Sequence, residues 1–188
     1  MSDETPEETD GDGSEETPDG AAVEQPTAAR GSENAGVPAS LGAWDAVVGD
    51  MESTADAYEE AGWETLQCHP GDVTVVTDEE GETTPHVDVL LPDNEYADVE
   101  ALLESGVSFG EYEVLKAEEG GVLYFVVVME DPEEEVALLY PGYYQRSEAE
   151  ELLEHARESG ELLTRLRRLD GEYVELVHED PELFAPEE

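Results

Sequence analysis

Residues 122–129, VLYFVVVM, form the longest apolar run in a chain that otherwise places an acid every few residues. A helix needs about 20 apolar residues to cross a bilayer, so this run is too short for a membrane span. Its valines and aromatics, without polar alternation, suit a strand buried on both faces. Asp131-Pro132 follows and supplies turn chemistry, since proline pre-sets φ at the second position of a type I turn and aspartate accepts a local hydrogen bond. A second apolar run, residues 136–140, returns at once. With the loop at 131–134, Glu130 pairs with Glu135, Met129 with Val136, Val127 with Leu138 and Phe125 with Tyr140, apolar at every position past the first. A central hairpin is therefore expected at the core of the fold.

Charge sets the next constraint. Against 52 acids the chain has 7 lysines and arginines, a formal net charge of −45. Residues 1–36 hold 11 of the acids, one arginine and no aromatic residue. Such a segment cannot bury enough apolar surface to offset its conformational entropy, so 1–36 is expected to be a disordered acidic tail. Residues 37–188 then form a single domain, long enough to bury roughly 70% of the surface its unfolded chain exposes. They still carry 41 acids against 6 bases, spread through every predicted helix, loop and hairpin. In dilute buffer that much like charge works against the compact state; in molar salt the screening length falls to about 3 Å and most of the repulsion goes. The pattern is that of a cytoplasmic protein from an extreme halophile.

That pattern changes the meaning of individual acids. Carboxylate pairs such as Glu79-Glu80, and the run 133–135, read as a solvated surface rather than as metal or acid–base sites. The dispersed charge also argues against a nucleic-acid mimic, and 7 cations are too few to neutralise a phosphate backbone, so nucleic acid is not an expected partner. Cys68 stands alone, which excludes an internal disulfide. No basic region followed by an apolar one opens the chain at Met1, and no membrane is expected.

The rest of the chain reads as α-βββ-α-βββ-α-ββ. Trp44, Val47, Val48, Met51, Ala55 and Tyr58 recur at helical spacing, and Gly62 ends that helix. Strands are expected at 63–69, 72–77 and 86–91. After Pro92, a second helix capped by Asp93 or Asn94 presents Tyr96, Val99, Leu102 and Leu103. Strands at 112–117, 122–130 and 135–140 come next, the last broken by Pro141-Gly142. Ser147, with Glu150 three residues on, has the spacing of a capping box for a third helix running to about Ser159. A closing hairpin, 162–169 and 172–178, turns on Asp170-Gly171, the pair favoured for a type I′ turn. The architecture expected is α+β, an antiparallel sheet with about three helices packed mainly on one face. A degenerate repeat of 49 residues fits inside it: the shift lays Glu64, Leu66, Gly71 and Val73 on Glu113, Leu115, Gly120 and Val122, and Glu130-Asp131-Pro132-Glu133 on Glu179-Asp180-Pro181-Glu182.

The segments GWETLQCHPGDVTVV, MEDP, YPGYY and HEDPELF, within about residues 44–184, resemble a family of acidic haloarchaeal proteins known only as a domain of unknown function. The resemblance implies a halophilic, cytoplasmic setting and carries no activity or site residues with it.

Two groups of residues stand above the acidic background. Tyr140, Tyr143 and Tyr144 surround Pro141-Gly142 where a strand leaves the sheet; aromatics there can line a groove, or simply close the end of the core. Arg165, Arg167 and Arg168 are three of the seven cations within four positions. They either pair with carboxylates such as Glu175 across the hairpin or receive an anion or an acidic partner. Cys68, His69 and His86 approach one another only if the first and third strands are neighbours, and no C-x-x-C, H-x-x-x-H or H-E-x-x-H spacing supports a metal. No G-x-S-x-G elbow or phosphate-binding glycine loop is present. No cofactor, metal or catalytic residue is assigned. The expected role is a non-catalytic interaction or regulatory domain whose partner is another protein; the alternative is a small-ligand-binding domain with a pocket between sheet and helices. Composition leaves the oligomeric state open.

Overall fold

The structure, a computed structural model, describes residues 41–77 and 81–187; the expected tail at 1–36, and part of the loop at 78–84, lie outside the described residues. The elements follow in the expected order: α1 (Leu41–Glu60), β1 (Glu64–Gln67), β2 (Asp72–Val76), β3 (His86–Leu90), α2 (Asp93–Glu104), β4 (Glu111–Glu119), β5 (Val122–Asp131), β6 (Val136–Gln145), α3 (Arg146–Ser159), β7 (Leu162–Arg167) and β8 (Tyr173–His178). A short 3-10 turn, Pro181–Phe184, follows β8. The class is α+β. Its strands divide between two four-stranded mixed sheets where one antiparallel sheet was expected. Sheet A runs β1-β6-β5-β4 and sheet B runs β2-β3-β7-β8. Each includes one parallel pair, β1 with β6 and β3 with β7. The pairing does not confirm the repeat, because β1 lies beside β6 whereas its counterpart under the 49-residue shift, β4, lies beside β5.

The β5–β6 hairpin is the centre of the core, with a register two residues away from the expected one. Val127 faces Tyr140, Met129 faces Leu138, and Asp131 faces Val136. The reason lies in Asp131, which is buried within β5 instead of opening the loop. Its carboxylate accepts the backbone N–H groups of Ser108 (2.8 Å), Glu133 (3.0 Å) and Glu134 (3.2 Å). Those bonds, the one from Ser108 foremost, hold its carboxyl below the usual range. The loop therefore moves to residues 132–135, and Glu135 closes it at φ 54. A slip of two keeps every side chain on its original face.

Strand β6 also runs through Pro141-Gly142 to Gln145 instead of stopping at Tyr140. Cys68 N–H donates to the Leu139 carbonyl at 2.9 Å, so residues 139 and 141 point their backbone groups toward β1. Among the described residues the Cys68 bond is the last backbone bond between the two segments, so Pro141, which has no N–H to give, stands where the β1–β6 ladder stops. Gly142 is required for a different reason: a Cβ on it would sit 2.4 Å from Cζ of Phe125, its cross-strand partner. α3 starts at Arg146 with no side-chain cap bond, so the Ser147 capping box does not form. In the β7–β8 hairpin, Gly171 has φ 94 and Asp170 is not at positive φ. A type I′ turn needs both; the loop is accordingly three residues, 169–171, closed by Arg168 N–H to Glu172 O at 3.0 Å.

The alternate faces of β5 enter two apolar clusters, as the unbroken run implied. Val122, Tyr124, Val126 and Val128 pack with Ala137 and Leu139 against Val47, Met51 and Ala55 of α1. Leu123, Phe125, Val127 and Met129 join Leu138 and Tyr140 in the larger cluster, which includes Val73, Val87, Val89, Leu162 and Leu166 from sheet B, Tyr96 and Val99 from α2, and Leu152 and Leu153 from α3. Hydrogen bonds cross this interior. Nε2 of His178 in β8 lies 3.0 Å from the Tyr140 hydroxyl and 3.2 Å from that of Thr164.

Candidate functional site

Strand alternation decides which side chains of sheet B meet the core and which do not. Val73, Val87, Val89, Leu162, Leu166 and Leu176 face inward. Their neighbours along each strand form an outer face that belongs to neither apolar cluster. In register, Asp72, Leu90, Arg167 and Tyr173 make one row across the sheet, and Thr74, Asp88, Arg165 and Glu175 make the next. Val76 and His86 lie beyond them on β2 and β3, and Leu163 and Val177 on β7 and β8. His86 and Leu163 are buried, whereas Thr74, Tyr173, Glu175 and Val177 are exposed.

Two of the three clustered arginines converge here. Arg165 Nε donates to Glu175 Oε2 at 2.9 Å, directly across the hairpin, and its guanidinium lies 4.6 Å from the Tyr173 ring centroid. Arg167 Nε donates to Asp88 Oδ1 at 2.5 Å, and Nε2 of His86 lies 3.8 Å from the other carboxylate oxygen. Partial burial disfavours the Asp88 anion, but His86 and Arg167 outweigh it and hold its carboxyl below the usual range. Among the described residues each of these arginines bonds a carboxylate through its Nε–H alone, and the guanidinium carries further N–H donors. Arg168 goes elsewhere. It pairs with Asp170 and Glu172 beyond the strand and lies 5.6 Å over the Tyr96 ring.

The three tyrosines separate in the same way. Tyr140 and Tyr144 are buried in the large cluster, Tyr140 bonded to His178 and Tyr144 donating to the Phe184 carbonyl. Their hydroxyls therefore satisfy core partners and do not line a lip. Tyr143, one residue out of phase, faces the other way and packs edge-on against Trp44 at 5.6 Å. With Leu41, Trp44, Pro70 and Val73 it borders a hollow of about 200 Å³. A larger groove, about 500 Å³, runs between α1 and the edge strand β4 over Tyr124 and Val126.

β1 and β3 lie in different sheets, so Cys68, His69 and His86 are not brought together. Cys68 is buried, burial pushes its thiol up, His69 binds the Glu95 carboxylate at 2.9 Å, and His86 contacts the Thr84 carbonyl at 2.8 Å. Among the described residues no three His, Cys, Asp or Glu side chains are grouped to hold a metal ion. The sequence reading missed Tyr173 and Val177 as members of a surface. Their signal was the alternation in YVELVH, which puts Tyr173, Glu175 and Val177 on one side of a strand.

The model of one protein family matches residues 29–186, from ahead of α1 to past the 3-10 turn. The chain belongs to DUF7529, a family of unknown function. The match takes in both sheets and the whole outer face. No curated protein matches the chain. Among the described residues no helix is long and apolar enough to cross a membrane.

Proposed function

We propose that this member of DUF7529 is a non-catalytic protein-interaction domain of a halophile's cytoplasm, and that its partner docks on the outer face of sheet B. The observation that carries the reading is the pair Arg165 and Arg167. In a chain of net charge −45 with only 7 cations, two of them lie in adjacent rows of one sheet face, and among the described residues each bonds a carboxylate through Nε–H alone. Around them the face carries Leu90, Val177 and Tyr173, and its acids are Asp72, Asp88 and Glu175. A surface kept only for hydration in high salt has no need of this suppressed negative charge. The chemistry suits a protein that offers a carboxylate to the guanidinium forks and small apolar side chains beside them.

The test is capture from an extract of source cells in molar KCl, using the intact chain and an Arg165→Lys/Arg167→Lys variant that keeps charge but loses the planar fork. The intact chain should retain a partner that the variant retains at least about tenfold less, the equivalent of about 1.4 kcal/mol. Equal capture by both overturns the reading. The groove between α1 and β4 favours a second reading, a small apolar ligand over Tyr124, Val126 and Leu115. A bound small molecule in native mass spectra, displaced by Ser53→Arg at the groove wall, would favour that one.

A further inference from the structure

Strand β8 is an edge, and its backbone is arranged to accept another strand. Arg168 N–H donates to Glu172 O, and Leu91 N–H donates to Arg167 O. Even-numbered residues of β8 therefore aim their N–H and C=O groups at β7, and Tyr173, Glu175 and Val177 aim theirs outward. None of the outward groups is hydrogen-bonded among the described residues, and β7 is the one element against which the β8 backbone packs extensively. The remaining edges are blunted or covered. β4 carries Glu111, Glu113, Glu118 and Glu119, β1 is four residues long, and β2 packs against β6 and α3. Among the described residues, β8 is the edge strand with two large exposed apolar side chains, Tyr173 at 48% and Val177 at 45% exposure, whereas β4 exposes Leu115 among its glutamates. Natural proteins usually guard such an edge.

We propose that β8 pairs antiparallel with β8 of a second copy of this chain, about a two-fold axis at Glu175. That register uses all three outward-facing residues, and it sets Tyr173 opposite Val177 of the other copy, twice. The two Glu175 side chains meet at the axis, each already bonded to its own Arg165 at 2.9 Å, so the charges across the seam run +, −, −, + and the opposed carboxylates are a like-charge contact that salt screens. Any other register that pairs outward residues shortens the overlap and places Tyr173 or Val177 against a carboxylate or beyond the strand end. The two copies of sheet B become one eight-stranded sheet with a continuous outer face. This pairing uses the backbone edge of β8, while the side chains of Tyr173, Glu175 and Val177 stay on the outer face proposed above to receive a partner.

Two measurements on the full chain test it. The first is mass by light scattering across a KCl series: a dimer whose population grows with salt is expected, because screening relieves repulsion between two acidic chains. The second is disulfide trapping under mild oxidant. Glu175→Cys lies on the axis, opposite itself in a hydrogen-bonded pair with Cα atoms about 5.5 Å apart, within reach of a disulfide. Val177→Cys is displaced from its equivalent by four residues, about 13 Å along the strand. Buried Cys68 is silent in both. Trapping of Glu175→Cys and not Val177→Cys supports the register. A monomer at every KCl concentration, or equal trapping of the two variants, overturns the proposal.

Discussion

Replacing Gly142 with alanine adds one methyl group, and the structure says where it goes. The new Cβ would lie 2.4 Å from Cζ and 2.5 Å from Cε2 of Phe125, far inside the carbon–carbon optimum of about 3.5–4.0 Å. The ring cannot withdraw, since Phe125 is buried against Tyr144 and Phe184, with centroids at 6.1 and 5.7 Å. Overpacking of this kind costs about 1–3 kcal/mol, and the loss of glycine's unfolded-state freedom returns about 0.4–1 kcal/mol. A net loss of about 1–2 kcal/mol follows, or about 3–6 °C in melting temperature for a domain of this size. Gly71→Ala is the matched control. Gly71 also lacks a positive φ, but nothing lies within 4 Å of its Cβ position, so it should be neutral or slightly stabilising. The assay is thermal melting of both variants in the same molar KCl, together with Phe125→Leu and the Phe125→Leu/Gly142→Ala double variant. The double-mutant cycle should show a favourable coupling, because the smaller side chain makes room for the methyl. Equal melting of Gly142→Ala and Gly71→Ala, with no coupling to Phe125, would refute the close approach of ring and strand.

Three further outcomes are expected. Leu138 is fully buried opposite Met129, so Leu138→Ala should cost about 2–5 kcal/mol out of a total of about 5–15 kcal/mol, while Glu134→Ala in the adjoining loop should leave melting nearly unchanged. The folded domain should melt cooperatively in molar KCl and lose structure in dilute buffer, as self-repulsion loses its screening; circular dichroism at the two salt levels reads it. Burial lowers the pKa of His178 to about 4. The unfolded chain then binds a proton through the ordinary histidine range of about 6.5 that the fold refuses, so stability should fall with decreasing pH by about 1.4 kcal/mol per unit between those values. His178→Gln should flatten the slope in that window; an unchanged slope would place the titration elsewhere.

The sequence disclosed the order of helices and strands because each rests on local pattern: the helical spacing from Trp44 to Tyr58, the unbroken run in β5, and the Gly and Pro residues between them. It did not disclose how strands far apart in the chain come together. Nothing within 64–67 or 136–139 announces that these segments lie parallel to each other, and sheet division follows from such long-range pairing. Register was lost where one side chain outweighed turn statistics, since Asp131 serves three N–H groups from inside the strand and displaces the loop. Pro141-Gly142 read as a strand end because its local meaning is a break; in the fold, proline sits where the β1–β6 ladder stops and glycine sits beneath the Phe125 ring. The arginine cluster was visible as composition, but its division, with Arg165 and Arg167 on the outer face and Arg168 beyond it, depends on a three-residue turn that the Asp-Gly pair did not specify. The tyrosines failed as a group for the same reason that alternation works, since Tyr143 and Tyr144 are adjacent and therefore point to opposite sides of β6.

The central claim, that the outer face of sheet B is where a partner binds, can be measured through the reactivity of one introduced thiol. Thr74 is exposed in the row that contains Asp88, Arg165 and Glu175, and Ser53 is exposed on α1 at the groove on the other side of sheet A. Native Cys68 is buried and does not compete. Alkylation rates of Thr74→Cys and Ser53→Cys are compared in KCl alone and in source-cell extract at the same KCl concentration. The account expects Thr74→Cys to be slowed in extract and Ser53→Cys to react at the same rate in both; an unslowed Thr74→Cys, or slowing at Ser53→Cys instead, would contradict it.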